Sequence, residues 1–327
     1  MTAFQLTRDG PIAHLRLSRP EASNAVDLSF WRDFGPALTA LDATGEVRAL
    51  VISGEGRNFC AGMDISVFSG GAILKTDTPA ERQAFHQAAR ELQETLTSIE
   101  RVRFPVIAAV QGACVGAGLD LVAVCDLRLA AAGAYFRIEE INIGMMADVG
   151  SLQRLPRILP EGVVRELAYL GTSLTAERAE RLGFVASVHA DPEALLAAAM
   201  DMARAIAAKA PLAISGSKAA IIYARDHSVA EGLEWGGGHA GIDLEHRGHP
   251  RRHPGAGDAS AGRLYVPVGL GRLGNAEGLK PRTGVAASTA VKSQAASDTT
   301  PASIQRRAAF WASAISSCSI SWLISRR

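Results

Sequence analysis

Three carboxylates stand close together in otherwise apolar sequence. Asp120 ends the run Gly116-Ala117-Gly118-Leu119-Asp120, Glu140 follows twenty residues on, and Asp148 eight residues after that. Their surroundings (LDLVAVCDLRLA, EEINIG and MMADVGSLQRLP) are small or hydrophobic. An ionised carboxylate in such a setting is costly unless it is hydrogen-bonded or put to use. The chemistry implied is proton transfer by acid/base groups.

Two loops supply a second feature. The apolar run ALVIS reads as a buried strand leading into FCAGMD, and GACVGAGLD reads as a Gly-rich turn opening a helix. Backbone N–H groups from a tight turn and from a helix N-terminus, if they converge on one carbonyl oxygen, form an oxyanion hole to which the helix dipole adds. Each loop taken singly also fits an ordinary packing device, and GAG without the full GxGxxG pattern is poor support for a dinucleotide site.

The elements that must position these groups alternate in kind. FQLTRDGPIAHLRLSRP predicts two short strands around an Asp9-Gly10 turn, and a helix is expected to start near Asp27 or Ser29. A long helix is expected over about Pro79 to Arg101, then strand, Gly-rich turn and helix through FPVIAAVQGACVGAGLDLVAVCDLRLAA. Recurring strand, loop and helix units argue an α/β or β-spiral core. From Asp191 to Ser228 apolar residues recur three and four apart, which predicts a second, all-helical portion. Past Trp235 the chain turns Gly-, His- and Arg-rich and then Ser/Thr/Ala-rich, without helical or strand period. The expected division is a core with the site at 1–190, a helical, oligomerisation-type region at 191–235, and a basic low-complexity tail at 236–327.

Composition sets further bounds. The 327 residues are 48% hydrophobic and 20% charged, enough for a sizeable core, and the net charge of +1 conceals an asymmetry. Residues 1–245 hold 22 Lys+Arg against 30 Asp+Glu, whereas residues 246–327 hold 12 against 3. That tail lacks interleaved aromatics, which argues against nucleic-acid binding. Cys60, Cys114, Cys125 and Cys318 are far apart with no CxxC, so the first three are expected as small buried hydrophobes and the chain as cytoplasmic. Glu245, His246, His249 and His253 lie in an Arg-rich stretch that gives a metal no scaffold. Residues 308–325 approach a membrane span in length but carry six serines, and no membrane association is expected.

Taken in order, four segments resemble the enoyl-CoA hydratase/isomerase, or crotonase, superfamily. They are Arg19-Pro20-Glu21 through Asn24-Ala25, ALVISGEGRNFCAGMDI, PVIAAVQGACVGAGLDLVAVCDLRLAA, and PRILPEGVVRELAYLGTSLTAERAERLGFVASV, and the likeness covers about residues 3–235. It implies a ββα spiral, an acyl-CoA thioester substrate and a homo-oligomer, trimeric or hexameric. The oxyanion donors it implies are the N–H groups of Met63 and Ala117, with Ala61, Gly62, Asp64, Ile65 and Gly116 binding the acyl-CoA. Glycine usually stands at the position of Ala117, so an alanine there would be strained if the position needs positive φ.

Within the superfamily the hydratases carry glutamates at the positions of Asp120 and Glu140 and a small residue at that of Asp148. EEINIGMMADVGSLQRLP, with GLDL upstream and YARDHSVAEGL downstream, instead resembles the Δ3,5-Δ2,4-dienoyl-CoA isomerases, whose three acids match Asp120, Glu140 and Asp148. The reaction so implied removes a proton from C2 and delivers one to C6, in unsaturated fatty-acid β-oxidation. Glu140 is assigned to C2 and Asp148 to C6, although the residue types also allow the reverse. Asp120 is either a helix-start acid favoured by the dipole or a third member that orients the others. Glu139 is expected to point away and to be structural. No metal or redox cofactor is expected, since CoA enters with the substrate. The rivals are an enoyl-CoA hydratase of the same fold and a non-catalytic member.

Overall fold

The computed structural model describes residues 3–64, 67 and 77–245; Ile65, Cys318, the 246–253 histidine cluster and residues 308–325 lie outside the described residues. β1 (Phe4–Asp9) and β2 (Ile12–Leu17) form the hairpin that the Asp9-Gly10 turn predicts. Asp27 caps α1 (Leu28–Ala43) by accepting from the amides of Ser29 and Phe30. β3 (Ala49–Gly54) follows, then α2 (Pro79–Arg101), opened by a Thr78/Glu81 capping box. β4 (Val106–Val110), β5 (Ala113–Val115), α3 (Ala117–Val124), β6 (Leu127–Ala131) and β7 (Tyr135–Arg137) complete the stretch before the acids. Beyond them come α4 (Ser151–Arg154), α5 (Glu161–Leu170), β8 (Leu174–Thr175), α6 (Ala176–Arg181), β9 (Val188–His189), α7 (Pro192–Ala207), α8 (Pro211–Asp226) and α9 (Val229–Glu245).

The main sheet runs in the order β1-β2-β3-β4-β6-β9, parallel throughout except for the hairpin. Both of its faces are covered, which is why ALVIS and VIAAV are continuous apolar runs instead of alternating ones. One face, with Leu50, Ile52, Val106 and Ala108, packs with Phe30, Phe34 and Leu38 of α1 and Leu96 and Ile99 of α2. The other, with Ala49, Val51, Ile107 and Ala109, packs with Leu195, Ala199 and Ala203 of α7. A second sheet, β5-β7-β8, stands beside it.

Two expectations about the helices need correction. The all-helical portion does not start as a separate layer at 191: α7 covers one face of the sheet, and every described residue belongs to one compact unit, Met1–Pro254. An apolar stripe at helical spacing reads the same whether a sheet or another helix receives it. Nor does regular structure stop at Trp235, because α9 continues through Gly236-Gly237-Gly238 to Glu245. Glycine is about 1 kcal/mol worse than alanine in a helix, so the triplet reads as a break. Contact with α8 helps to offset it, with Trp235 stacked at 5.0 Å on Tyr223, which stacks at 3.7 Å on His227.

α8 is fastened to the core by a buried lysine. Lys218 Nζ donates to the carbonyls of Ile99 (2.8 Å) and Phe104 (3.0 Å) and to Asp126 Oδ2 (2.8 Å), which also accepts from the Val106 amide. Removing one partner of a buried pair leaves the others unsatisfied. Lys218→Met should therefore lower the unfolding free energy by about 3 kcal/mol in urea titrations; a loss within error of zero would show that water satisfies these groups instead.

Candidate active site

The loop after β3 is held from two sides. Its residues pair with the strand β5: Phe59 N–H donates to Gln111 O, Cys60 N–H to Ala113 O, and Val115 N–H to Cys60 O, at 2.8 to 3.0 Å. On the other side Asn24, buried and left-handed at φ +56, donates from Nδ2 to the carbonyls of Glu55 and Asn58, while its Oδ1 accepts from the Arg19 amide. Arg19 in turn binds Ala25 O (2.7 Å) and Asp64 Oδ2 (2.8 Å). Arg19 and Asn24 were legible only as part of a matching segment. The partners that tie them to the loop, Glu55, Asn58 and Asp64, lie more than thirty residues away in the chain, so no local signal marks the two as a clamp.

Because β5 runs straight into Gly116, this strapping brings the two Gly-containing loops together. Gly116 takes φ +53 and Gly62 φ +99, conformations that suit a residue without Cβ. An added Cβ at Gly62 would lie 3.9 Å from Ala117 N, and one at Gly118 would lie 2.8 Å from Cys60 Cβ. The glycine of GAG that precedes Ala117 thus supplies the turn, and the one that follows it allows the close approach. Ala117 is the first residue of α3 and its φ is not positive, so the strain considered for an alanine here does not arise. Among the described residues neither the Met63 N–H nor the Ala117 N–H donates a hydrogen bond. Both remain available to an acceptor.

Asp120, Glu140 and Asp148 are brought into electrostatic contact. Asp120 is fully buried on α3; its Oδ1 accepts the Ser151 N–H at 2.6 Å, and its Oδ2 has no partner among the described residues. It lies in the first turn of its own helix, whose N-cap is Gly116, and receives the first amide of α4. Glu140 opens a 3₁₀ turn, Glu140–Ile143, with Oε2 buried and without a partner among the described residues, and Oε1 3.2 Å from where a Gly116 Cβ would stand. Asp148 is half-buried, and its carbonyl accepts from Gln93 Nε2 of α2 at 2.7 Å.

Burial pushes Asp120 up to about 6, with the Asp148 charge adding to it against the Ser151 hydrogen bonding and the charge of Arg154. Burial, then the charges of Asp120, Asp148 and Glu139, push Glu140 up to about 7. Burial also raises Asp148. Such a set can exchange protons near neutrality. Glu139 turns to Arg137 (3.2 Å) and Asn142 (3.3 Å). It is structural as expected, but because a 3₁₀ turn begins there and not because the segment is extended.

Of the expected substrate contacts, Ala61, Gly62, Asp64 and Gly116 surround the paired loops, and Ile65 is not described. Ala61 N–H donates to Ser23 O, and the Asp64 carboxylate is engaged by Arg19. Cys60, Cys114 and Cys125 are buried free thiols, and burial pushes Cys60 and Cys125 up to about 12. Among the described residues no group of three or more His, Cys, Asp or Glu side chains is placed to hold a metal. No single described helix is long and apolar enough to cross a membrane.

Comparison with known proteins places this geometry among relatives. The sequence model of the enoyl-CoA hydratase/isomerase family matches residues 7–235. The mitochondrial Δ(3,5)-Δ(2,4)-dienoyl-CoA isomerase of Mus musculus is 38% identical over 68% of this chain and 69% of its own length. The peroxisomal isomerase of that name from Arabidopsis thaliana is 35% identical over 69% of this chain and 83% of its own. A solved enoyl-CoA hydratase from Polaromonas sp. JS666, 32% identical, superposes with a TM-score of 0.68 over 74% of this chain and 92% of its own. The expected crotonase-type spiral is therefore the fold. The expected cytoplasmic location is overturned, because the isomerase relatives are mitochondrial and peroxisomal. That expectation rested on cysteine spacing, which does not separate the cytoplasm from another reducing compartment.

The raised carboxyls make stability pH-dependent. Glu140 keeps its proton up to about 7 in the folded chain against an ordinary 4.5, so between those values the folded state binds more protons than the unfolded one and stability falls as pH rises. Glu140→Gln should flatten that decline and be more stable than the wild type at pH 8 by roughly 1 to 3 kcal/mol, converging with it near pH 4. Urea titrations from pH 4 to 8 would show parallel curves if Glu140 were solvated.

Proposed function

We propose that this chain, which belongs to the enoyl-CoA hydratase/isomerase family, isomerises 3,5-dienoyl-CoA to 2,4-dienoyl-CoA. The observation that carries the proposal is the group of three mutually coupled, buried or half-buried carboxyls beside two unengaged backbone N–H groups. The isomerase relatives from mouse and Arabidopsis support it.

In this mechanism the thioester oxygen accepts from Met63 and Ala117 N–H, which acidifies C2 by stabilising the developing enolate. Glu140, ionised above about 7, takes the C2 proton; electrons shift along the conjugated carbons, and C6 receives a proton from Asp148, whose pKa burial raises above the ordinary carboxylate value. One proton leaves C2 and one arrives at C6, so the acyl group keeps its composition. The cycle closes when Glu140 loses its proton and Asp148 regains one. Asp120 adds a third charge that separates the titrations of the other two. Ala61, Gly62, Asp64 and Gly116 form the wall against which the CoA thioester lies. No cofactor besides the CoA of the substrate is required for a proton shift. Exposed Ile141, Ile143, Met146, Tyr169 and Leu170 support a homo-oligomer.

The same-fold alternative is hydration of an enoyl-CoA. Purified protein supplied with 3,5-dienoyl-CoA should give the absorbance of the conjugated 2,4 product faster than it hydrates a 2-enoyl-CoA; the opposite order would favour the hydratase. Asp148→Asn, nearly isosteric but unable to transfer the proton, should lower kcat by about a hundredfold or more with KM little changed, and near-full turnover would remove Asp148 from the mechanism. Ala117→Pro offers a clean deletion of the N–H, since proline is well tolerated at the first position of a helix. Its kcat should drop by on the order of a hundredfold; an active, folded proline variant would place the donor elsewhere.

A further inference from the structure

One face of α2 is occupied by the segment that carries the last acid. Gln93, Thr97 and Glu100, spaced four and three apart, lie along one side of the helix. Gln93 holds the Asp148 carbonyl; Thr97 Oγ1 accepts from Arg154 Nη2 at 3.0 Å, and Glu100 Oε1 accepts from Arg154 Nε at 3.0 Å. Both partners of that ion pair are largely out of water, with side-chain exposures of 14% for Arg154 and 11% for Glu100. Arg225 of α8 closes the network, donating to Glu100 Oε1 at 2.9 Å and to Oε2 at 3.3 Å.

The guanidinium of Arg154 also lies against Gly150, where an added Cβ would collide with Nη1, and Gly150 adopts φ +136. Gly150 joins Asp148 to Ser151, whose N–H is the hydrogen bond to Asp120. A buried ion pair is seldom better for stability than an apolar pair of equal volume, so its fixed geometry is the feature to explain. Burial works against the charge of Glu100, but the hydrogen bonds from Arg225 and Arg154 outweigh it and hold the carboxyl below its ordinary range, so the anchor stays ionised.

We infer that Arg154, gripped by Glu100 and Thr97, is a positioning residue of the site: it fixes residues 148–151, which carry one acid and bind another, and Arg225 extends that hold to α8. The inference rests on the proposed isomerase function. The charged and titratable groups facing Asp120 are Asp148 and Glu140, which disfavour its ionisation, Arg154, which favours it, and the Cys114 thiol.

The test compares full-length Arg154→Gln and Arg225→Gln with the wild type, using Arg103→Gln, which removes a remote ion pair with Asp42, as control. Arg154→Gln should lower kcat for 3,5-dienoyl-CoA by about 10- to 100-fold with KM within about threefold. In ¹³C NMR of carboxyl-labelled aspartate, Asp120 of this variant should titrate at higher pH than in the wild type. Arg225→Gln, at the outer edge of the network, should lower kcat by about two- to tenfold, and Arg103→Gln should match the wild type. A folded Arg154→Gln with wild-type kcat and an unmoved Asp120 titration would overturn the inference; if that variant does not fold, a wild-type kcat and Asp120 titration in Arg225→Gln would do so. Absence of isomerase turnover in the wild type would instead count against the proposed function, and the Asp120 titration in Arg225→Gln, which keeps the Arg154 charge and needs no turnover, would then decide the positioning role.

Discussion

Taking the Asp120 carboxylate out of water sets the terms for everything around it. A fully buried carboxyl with one oxygen bonded and the other bare is tolerable only if its charge is easily given up, and Asp120 accordingly titrates near 6. The single amide it accepts belongs to Ser151, so the burial that perturbs the acid also draws in the turn after Asp148. Glu140 completes the set beside Gly116, again with one buried oxygen that has no partner among the described residues. Three acids that would repel one another in water are crowded together, and burial raises all three above their ordinary values.

The scaffold accepts this crowding because hydrogen bonds in the backbone fix both loops before any side chain enters. Pairing of Phe59 and Cys60 with the segment that ends at Val115 brings Gly62 beside the Ala117 amide, and Gly118 lets α3 approach Cys60 without a Cβ between them. The Asn24 and Arg19 clamp holds the other end of the first loop. Backbone amides fixed in this way need no reorganisation to receive an acceptor.

The helices after the sheets contribute to the same end. α8 reaches the core through Lys218 and reaches the acid-bearing turn through Arg225 and Glu100. Its Lys218 is a buried charge supplied with three partners, the condition under which such a group is tolerated inside a protein.

Sequence by itself determined the hairpin at Gly10, the start of α1 at Asp27, the extent of α2, the two loops and the three acids, because each is a local pattern: a turn glycine, a cap, an apolar period, a carboxyl among small residues. Resemblance carried the fold. Tertiary structure alone decided that Asp120, in the first turn of α3, binds Ser151, that the residue needing positive φ is Gly116 and not Ala117, and that Glu140 begins a 3₁₀ turn. It also decided that α7 covers the sheet and that α9 runs past three glycines. In each case the deciding partner is remote or the local signal is shared by two outcomes: Asp120 and Ser151 are 31 residues apart, and Glu100 and Arg225 are 125 apart. Propensity and periodicity report what a segment can become, whereas the depth of a charge and the identity of its neighbour exist only once the sheets have brought distant segments together.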